Sequence, residues 1–399
     1  MQLIPRLVEL APELTAWRRD LHAHPETAFE EVYTSDFVAK RLEESGLSVH
    51  RGLAGTGVVG TLKVAQPGLG EGPALALRAD MDALDITEQT GLPYQSTRPG
   101  KMHACGHDGH TTMLLGAARY LAESKGFHGT VHFFFQPAEE NEGGGRVMVE
   151  QGLFDLFPAK AVFGLHNWPG MPVGTFAVRP GPMMAAFDVF EILIHGRGAH
   201  AALPHLGIDP LVIASQLVLS LQSLVSRNTD PLDSVVLTVT QIHGGDTWNV
   251  IPETAMLRGT VRTFRADSQD RVETALKRHA AAICAAHGAT ATVRYERRYP
   301  STINTPTETE WSAAAAVAVA GKAQVDREPT PCMGSEDFSF MLQKCPGSYI
   351  WAGNGPADGN RTLHNPHYDF NDQLLPVGAS YWSRLVEQLL PVNGKSPLG

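Results

Sequence analysis

The sequence predicts an α/β protein with two domains, an open mixed-sheet domain interrupted by an inserted α+β domain of ferredoxin-like βαββαβ order. In the first half, short apolar runs of strand length alternate with stretches of helical periodicity, which is typical of an open α/β sheet. Beyond residue 183 the order becomes strand, helix, strand, strand, helix, strand. We therefore expect residues 1–182 and 298–399 to form one domain and residues 183–297 to be inserted. The length of 399 residues also suits about two domains.

In the first domain, three buried strands are each followed by polar side chains. These strands are predicted at residues 74–78, 130–135 and 161–165. Helices are predicted at residues 6–20, 31–45 and 110–123, and the chain returns after residue 300 with a helix at 309–320 and a strand at 348–352. Because site residues of open α/β sheets gather at the carboxyl ends of strands, these three strand ends predict a functional site.

The inserted domain follows from a second set of patterns. Its strands are predicted at residues 187–195, 234–241, 254–264 and 290–298, and its helices at 210–225 and 268–287. This order is that of a ferredoxin-like sandwich, so we expect an antiparallel sheet covered by two helices.

The composition excludes several classes of protein. Hydrophobic residues make up 43% of the chain and charged residues 19%, which rules out wholesale disorder. The net charge is -10 and no block is rich in lysine or arginine, so we expect no nucleic-acid partner. No apolar run reaches the roughly 18 residues of a membrane helix, and the first residues do not resemble a signal peptide. Four cysteines without C-x-x-C spacing favour reduced thiols in a cytoplasmic protein.

The strongest chemical cluster is the segment MHACGHDGH at residues 102–110, directly before a predicted helix. Cys105 and His107 are two residues apart in a loop, so both can reach one cation. A thiolate and an imidazole suit a borderline-soft divalent metal. The alternative is an ordinary helix start, in which Asp108 caps the helix and the histidines are solvated.

Two adjacent carboxylates, Glu139 and Glu140, follow the second strand. One of them can bind a metal while the other takes a proton from metal-activated water, a task that needs a tuned pKa. A solvated acidic loop is the alternative, since acidic pairs are common.

His166 follows the third strand, and His364 lies in a turn-rich segment. A lone histidine is more often structural than a ligand, so neither is decisive alone. Together with the two clusters above, they give five candidate ligands that one edge of the sheet could collect. Five ligands are more than one tetrahedral ion needs, which favours two metals roughly 3.5–4 Å apart.

At this point the chain resembles the bacterial hippurate hydrolases and N-acyl-amino-acid amidohydrolases, and the plant auxin-conjugate amidohydrolases close to them. These proteins are a branch of the aminoacylase and carboxypeptidase clan of co-catalytic metallopeptidases. The resemblance covers nearly the whole chain. It rests on the motifs HAHPE (22–26), RADMDAL (78–84), MHACGHDGH (102–110), QPAEE (136–140), GLHN (164–167), GRGAHAALPH (196–205), NVIP (249–252), GSEDF (334–338) and LHNPHYDFND (363–372).

The resemblance implies a role for each candidate residue. The two divalent metals would be bound by Cys105, His107, Glu140, His166 and His364. Glu139 would be the general base, and Asp82 would support a metal-binding histidine. His200 would reach the active site of a partner subunit and polarise the scissile carbonyl. Asn249 and Arg262 would lie near the substrate carboxylate.

One departure from the wider clan concerns the metal. Other branches have a His-x-Asp ligand motif where this chain has Asp80-Met81-Asp82, and Cys105 compensates as in the hippurate hydrolase branch. The thiolate favours zinc, while manganese, cobalt and nickel remain open.

The expected reaction is hydrolysis of the amide bond of an N-acyl amino acid by metal-activated water. Glu139 would remove the proton and pass it to the departing amine, while His200 stabilises the oxyanion. A histidine acting in trans requires at least a dimer, for which the inserted domain offers a sheet edge and a helix, and a hinge would let that domain close as a lid.

Three alternatives remain open at this stage. A dipeptidase or carboxypeptidase would use the same dinuclear site on another substrate. A binding protein would have kept the fold and lost turnover, although Glu139 and all five ligands are present. Cys105 could instead be a nucleophile with His107 as its base, but this leaves the remaining ligands unexplained.

Overall fold

The computed structural model describes residues 1–140 and 142–399 of the chain. These residues divide into two units. Unit 1 comprises Met1–Met183, Ile303–Thr330 and Asp337–Gly399, and unit 2 comprises Met184–Thr302 and Pro331–Glu336. Within the described part of the chain, no helix combines the length and the apolar character that crossing a bilayer requires.

The elements are numbered along the chain. The strands are β1 (Ser48–Leu53), β2 (Gly57–Val64), β3 (Ala74–Asp80), β4 (Gly129–Gln136), β5 (Val162–Trp168), β6 (Phe176–Ala177), β7 (Gly181–Met184), β8 (Ala186–His195), β9 (Ala199–His200), β10 (Val235–His243), β11 (Val250–Ile251), β12 (Thr254–Thr263), β13 (Thr290–Tyr299), β14 (Thr302–Asn304), β15 (Val325–Asp326) and β16 (Gly347–Gly353). The α-helices are α1 (Pro5–Glu9), α2 (Ala11–Ala23), α3 (Val32–Glu44), α4 (His107–Ser124), α5 (Gly144–Glu150), α6 (Leu153–Leu156), α7 (Pro210–Ser226), α8 (Ala266–Ala286), α9 (Pro306–Ala320), α10 (Phe338–Leu342) and α11 (Leu374–Leu389). Short 3₁₀ turns span Pro204–Leu206, Lys322–Gln324 and Asp358–Asn360.

Unit 1 is built on a mixed sheet with the strand order β1-β2-β4-β3-β5-β16-β6-β15. β3 pairs in parallel with β4 and β5, and β5 pairs in parallel with β16. Antiparallel pairs join β1 to β2, β2 to β4 and β16 to β6. The predicted open mixed sheet is confirmed, and the carboxyl ends of β3, β4 and β5 meet at one edge.

Several elements of unit 1 lie outside the sequence-based prediction, among them β1 and α11. In β1 only Leu53 is buried, so the strand lacks the apolar alternation by which strands are recognised. The helix α11 is buried along most of its length and includes Pro376 in its first turn. A proline is tolerated there because that turn makes no intrahelical N–H bond.

The helix α4 begins at His107, three residues before the predicted start at residue 110. Gly106 precedes it with φ 100°, a left-handed conformation that favours glycine. Every residue of α4 from His107 to Ala118 is buried. The sequence does not predict this, because the first turn of the helix is polar. At Gly109 an added Cβ would lie 2.2 Å from the ring of Phe370, so the helix approaches this ring closely.

Unit 2 has an antiparallel sheet with the order β10-β12-β8-β13. Along the chain its elements run β8, α7, β10, β12, α8, β13, so the predicted ferredoxin-like order is confirmed. β8 alternates buried and half-buried residues along its whole length, because only one face of the sheet meets the helices. The core of unit 2 includes Ile192 and Ile194 from β8, Leu217 and Leu221 from α7, and Leu276 from α8. A separate ribbon of β9 and β11 carries the motif around His200.

Candidate metal centre

The candidate metal centre lies in unit 1, at the edge where β3, β4 and β5 end. Asp82 follows β3 by two residues, and Glu139 and Glu140 follow β4 by three and four. His166 lies within β5, and His107 opens α4. The parallel pairing of these strands therefore brings together side chains that are far apart in the sequence.

The five predicted ligands form two groups that share one sulfur. The ligand atoms of Cys105, His107 and His166 lie within 4.8 Å of one another, as do those of Cys105, Glu140 and His364. The Cys105 Sγ is 3.3 Å from His166 Nε2, and His364 Nε2 is 3.1 Å from Glu140 Oε1. His107 Nε2 is 4.0 Å from the same carboxylate oxygen. Each of these two groups provides donors that could hold a cation, and Cys105 belongs to both.

Asp82 links two of these ligands. Its Oδ1 accepts a hydrogen bond from His107 Nδ1 at 3.2 Å, and its backbone oxygen lies 2.9 Å from the same nitrogen. Its Oδ2 accepts from the Glu140 N–H at 2.9 Å. Asp82 therefore fixes the His107 tautomer, with Nε2 turned toward the centre, and also holds the backbone of Glu140.

The other two histidines are also oriented by neighbours. His166 Nδ1 donates to the Asn167 carbonyl at 2.6 Å, which leaves the lone pair of Nε2 facing Cys105. His364 has φ 60°, and its N–H donates to the Ala104 carbonyl at 2.8 Å. A non-glycine residue rarely adopts this conformation, so the loop is held against the cysteine segment.

Burial and charge set the protonation of the centre. Burial raises the pKa of the Cys105 thiol well above its usual value, and Glu140 and Glu139 raise it further. Burial alone would lower the pKa of His107, but Asp80, Asp82 and Glu140 together raise it to about 10. Burial lowers the pKa of His166. Without bound cations, Cys105 and His107 are therefore protonated at neutral pH, and His166 is neutral.

The residues present fit a metal centre. His107 Nε2 is buried and has no hydrogen-bond partner within the described chain. An unsatisfied buried nitrogen costs free energy, which a cation at this position would recover. The donor set of one thiolate, three imidazoles and a carboxylate is the chemistry of zinc and other first-row divalent ions.

A buried hydrogen-bond network around Arg78 lies behind the centre. The sequence alone does not show that its residues contact one another. Arg78 donates to Gln136 at 2.8 Å, to Asp80 at 2.7 Å and to Asp337 at 3.0 Å. The Asp337 N–H in turn donates to Glu139 Oε1 at 3.3 Å. The sequence shows the acidic motifs but not that one arginine, 259 positions from Asp337, joins them. The network therefore orients the Glu139 side chain through the N–H of Asp337.

The remaining predicted site residues lie in unit 2, on two different parts of it. His200 and Asn249 are exposed and adjacent on the ribbon of β9 and β11, where the Ala201 N–H donates to the Asn249 carbonyl at 2.9 Å. Arg262 is half-buried on β12, and its Cζ lies 3.9 Å from the centroid of the Phe187 ring. Its Nη1 donates to the Ser335 hydroxyl at 3.0 Å. The side chain of Arg262 is therefore packed within unit 2 rather than directed to solvent.

Comparison with known proteins gives consistent matches over most of the chain. Residues 76–388 match the model of peptidase family M20/M25/M40. The chain is 42% identical over 393 residues to N-acetyl-L-cysteine deacetylase of Bacillus subtilis, covering 98% of this chain and 92% of that protein. It is 38% identical over 390 residues to hippurate hydrolase of Campylobacter jejuni, covering 98% of this chain and 100% of that protein.

A solved structure from Bacillus subtilis, described as a dinuclear metal-binding peptidase of the M20 family, has a TM-score of 0.82 to this chain. The two are 36% identical, and the match covers 96% of this chain and 99% of that one. The resemblance to this group of proteins that the motifs indicate is confirmed by these matches.

Proposed function

The chain belongs to peptidase family M20/M25/M40 and is a metal-dependent amide hydrolase, and from this premise we propose that it hydrolyses N-acyl amino acids. The products would be a carboxylic acid and a free amino acid. The observation that carries this proposal is the convergence of Cys105, His107, Glu140, His166 and His364, with Glu139 beside them.

Cys105, His107, Glu140, His166 and His364 would hold two divalent cations. Such cations polarise a carbonyl oxygen and lower the pKa of water when bound. A thiolate ligand favours zinc, and manganese, cobalt and nickel are the alternatives that metal reloading would separate.

Glu139 would act as the general base. It is buried, and the Asp337 N–H donates to its Oε1, so the carboxylate is held in one orientation. In this position it takes a proton from the attacking water and passes it to the departing amine. His200 would stabilise the charge that develops on the carbonyl oxygen.

Arg262 and Asn249 would bind the free carboxylate of the substrate. The Ser335 hydroxyl occupies one donor of Arg262 and leaves others of the guanidinium available. A guanidinium pairs with a carboxylate through two parallel hydrogen bonds, and burial on the Phe187 ring strengthens such a pair.

The register of unit 2 bears on whether His200 acts in its own subunit. Thr254 of β12 pairs with His195, next to the ribbon of His200 and Asn249, whereas Arg262 pairs with Phe187 at the other end of the sheet. The eight residue steps from Thr254 to Arg262 span roughly 27 Å. One small substrate cannot reach both ends of a single copy, so we propose that His200 and Asn249 act from a partner subunit in a homodimer or larger oligomer.

A substrate panel tests the activity. Metal-stripped protein would be reloaded with zinc, manganese, cobalt or nickel and assayed on N-benzoyl, N-acetyl and dipeptide substrates by release of the free amino acid. Turnover of the acylated amino acids is expected. Turnover of dipeptides alone would favour a dipeptidase or carboxypeptidase, and none in any metal form would reject the proposed activity.

Mixing two inactive variants tests the shared site. His200→Ala and Glu139→Gln would be combined under conditions of subunit exchange, verified by the exchange of a labelled chain. Partial recovery of activity is expected, because one mixed site then contains both intact residues. Verified exchange without recovery would place both residues in the same chain.

We also propose a cytoplasmic location. Cys105, Cys284, Cys332 and Cys345 are free thiols, which suits a reducing compartment. Cell fractionation of the source organism would test this proposal, and recovery from a secreted fraction would contradict it.

A further inference from the structure

Glu31 is a buried carboxylate that the proposed reaction does not use. It is fully buried at the start of α3, and its Oε1 accepts the Ala138 N–H at 2.9 Å and the Phe29 N–H at 3.1 Å. Its Oε2 accepts the Thr56 hydroxyl at 2.6 Å. Burying a carboxylate is costly, and here neutral donors rather than a cation provide these hydrogen bonds.

The contact with Ala138 places Glu31 at the turn that carries the two acidic residues of the centre. Ala138 is buried with φ 54°, a left-handed conformation that is unfavourable for alanine. The Gly144 N–H donates to its carbonyl at 2.8 Å. The turn therefore needs specific partners to keep a conformation that its sequence does not favour.

Two carboxylates hold this turn from its two sides. Glu31 accepts the N–H that precedes Glu139, and Asp82 accepts the N–H of Glu140. Between these anchors the backbone directs the Glu139 side chain and the Glu140 side chain toward the centre. Asp82 is already assigned a supporting role, and Glu31 is its counterpart on the other side.

Resting on the proposed function, we propose that Glu31 is a positioning residue, whose hydrogen bond to the Ala138 N–H fixes the directions of Glu139 and Glu140. Loss of this bond would leave a buried N–H without a partner and release the strained turn. Outer partners of metal ligands typically contribute about 10–100-fold to metal affinity or activity.

Glu26 provides a matched control within the same segment. It is also a buried glutamate, and its carboxylate accepts the Tyr33 N–H and the Thr34 N–H in the first turn of α3 and pairs with Arg98, each at 3.0 Å. Glu26 thus holds the first turn of α3, whereas the Glu31 side chain caps no N–H of this helix and instead contacts Ala138 in the turn at residues 137–140. If the role of Glu31 were purely structural, Glu31→Ala would lower Tm and leave cobalt binding unchanged, as is expected of Glu26→Ala.

The experiment measures cobalt binding to metal-stripped protein by calorimetry and by visible absorption. Glu31→Ala should weaken cobalt binding about 10–100-fold and alter the absorption spectrum, whereas Glu26→Ala should lower Tm and leave both unchanged. Glu31→Gln should restore affinity to within about threefold of wild type, since the amide oxygen still accepts the Ala138 N–H. Burial raises the pKa of Glu31 to about 7, which makes glutamine a close mimic of its neutral form.

If Glu31→Ala does not fold, Glu31→Asp withdraws the carboxylate by one methylene group and keeps its charge, and it should weaken cobalt binding in the same way. Equal losses in the Glu31 and Glu26 variants, or wild-type affinity in a folded Glu31 variant, would overturn the inference. Wild-type protein that binds no cobalt would also overturn it. Protein that binds cobalt but hydrolyses no substrate would reject the proposed function, while the cobalt affinities still decide the role of Glu31.

Discussion

The candidate centre of unit 1 and the ribbon of unit 2 differ in how their side chains are held. In the centre, His107 and Glu140 are both held by Asp82, and His166 by the Asn167 carbonyl. On the ribbon, His200 is exposed, and the hydrogen bond at its ring joins Nδ1 to the nearby Ala202 N–H. The side chains of the centre are therefore held in place within unit 1, whereas the His200 ring on the ribbon is exposed and free to contact a binding partner.

This difference separates two ways of losing activity. A change in the buried centre should alter metal binding or the chemistry itself. A change on the ribbon should lower the rate and leave the centre intact. The following variants test that separation.

The largest effect is expected from Glu139→Gln, because it removes the proposed base and keeps the side-chain shape. We expect kcat to fall about 10²–10⁴-fold with unchanged metal content. Steady-state kinetics and elemental analysis would check this, with Glu142→Gln as a control, since Glu142 is exposed nearby. Near-normal turnover would remove Glu139 from the mechanism.

His200→Ala should lower kcat about 10²–10³-fold, the usual loss for one oxyanion donor. Metal content and Tm should remain those of the wild type, because the residue is exposed and lies outside unit 1. His205→Ala is the control, as it alters an exposed histidine of the neighbouring 3₁₀ turn. A change in KM alone would contradict the assigned role.

Asp82→Ala should weaken metal binding about 10–100-fold, because it frees the Glu140 N–H and removes the side-chain bond to His107, which keeps only its bond to the backbone oxygen of residue 82. Calorimetric titration of metal-stripped protein would measure the loss. Asp85→Asn is the control, since Asp85 is exposed three positions further along. Unchanged affinity in Asp82→Ala would show that the centre does not depend on this support.

A smaller effect is expected in the number of protons that the protein releases when cations bind. In the metal-free protein the raised pKa values of Cys105 and His107 keep both groups protonated at pH 7. Cation binding removes both protons, so at least two should be released per subunit, with a further contribution from His364, whose pKa is raised by its hydrogen bond to Glu140, and affinity should rise with pH. Calorimetry in buffers of different ionisation enthalpy would count them. His200→Ala should release the same number, and release of fewer than one would contradict the protonation of the centre.

The sequence predicts the parallel strands because their apolar runs are local, and their polar ends mark the edge where the centre lies. It does not predict that Glu31 reaches the Ala138 N–H, because this contact joins positions 107 apart. It also leaves the surroundings of Arg262 open, since alternation along β12 does not show the Phe187 ring beneath it. Local patterns give the strands and motifs, whereas long-range contacts decide what supports them.

The shared sulfur of Cys105 has a consequence for the chain before any metal reaches it. Oxidants attack the thiolate far more readily than the thiol, and burial together with the surrounding carboxylates keeps this group protonated. We therefore expect the metal-free chain to be slow to oxidise at Cys105, the sulfur that belongs to both groups of candidate ligands.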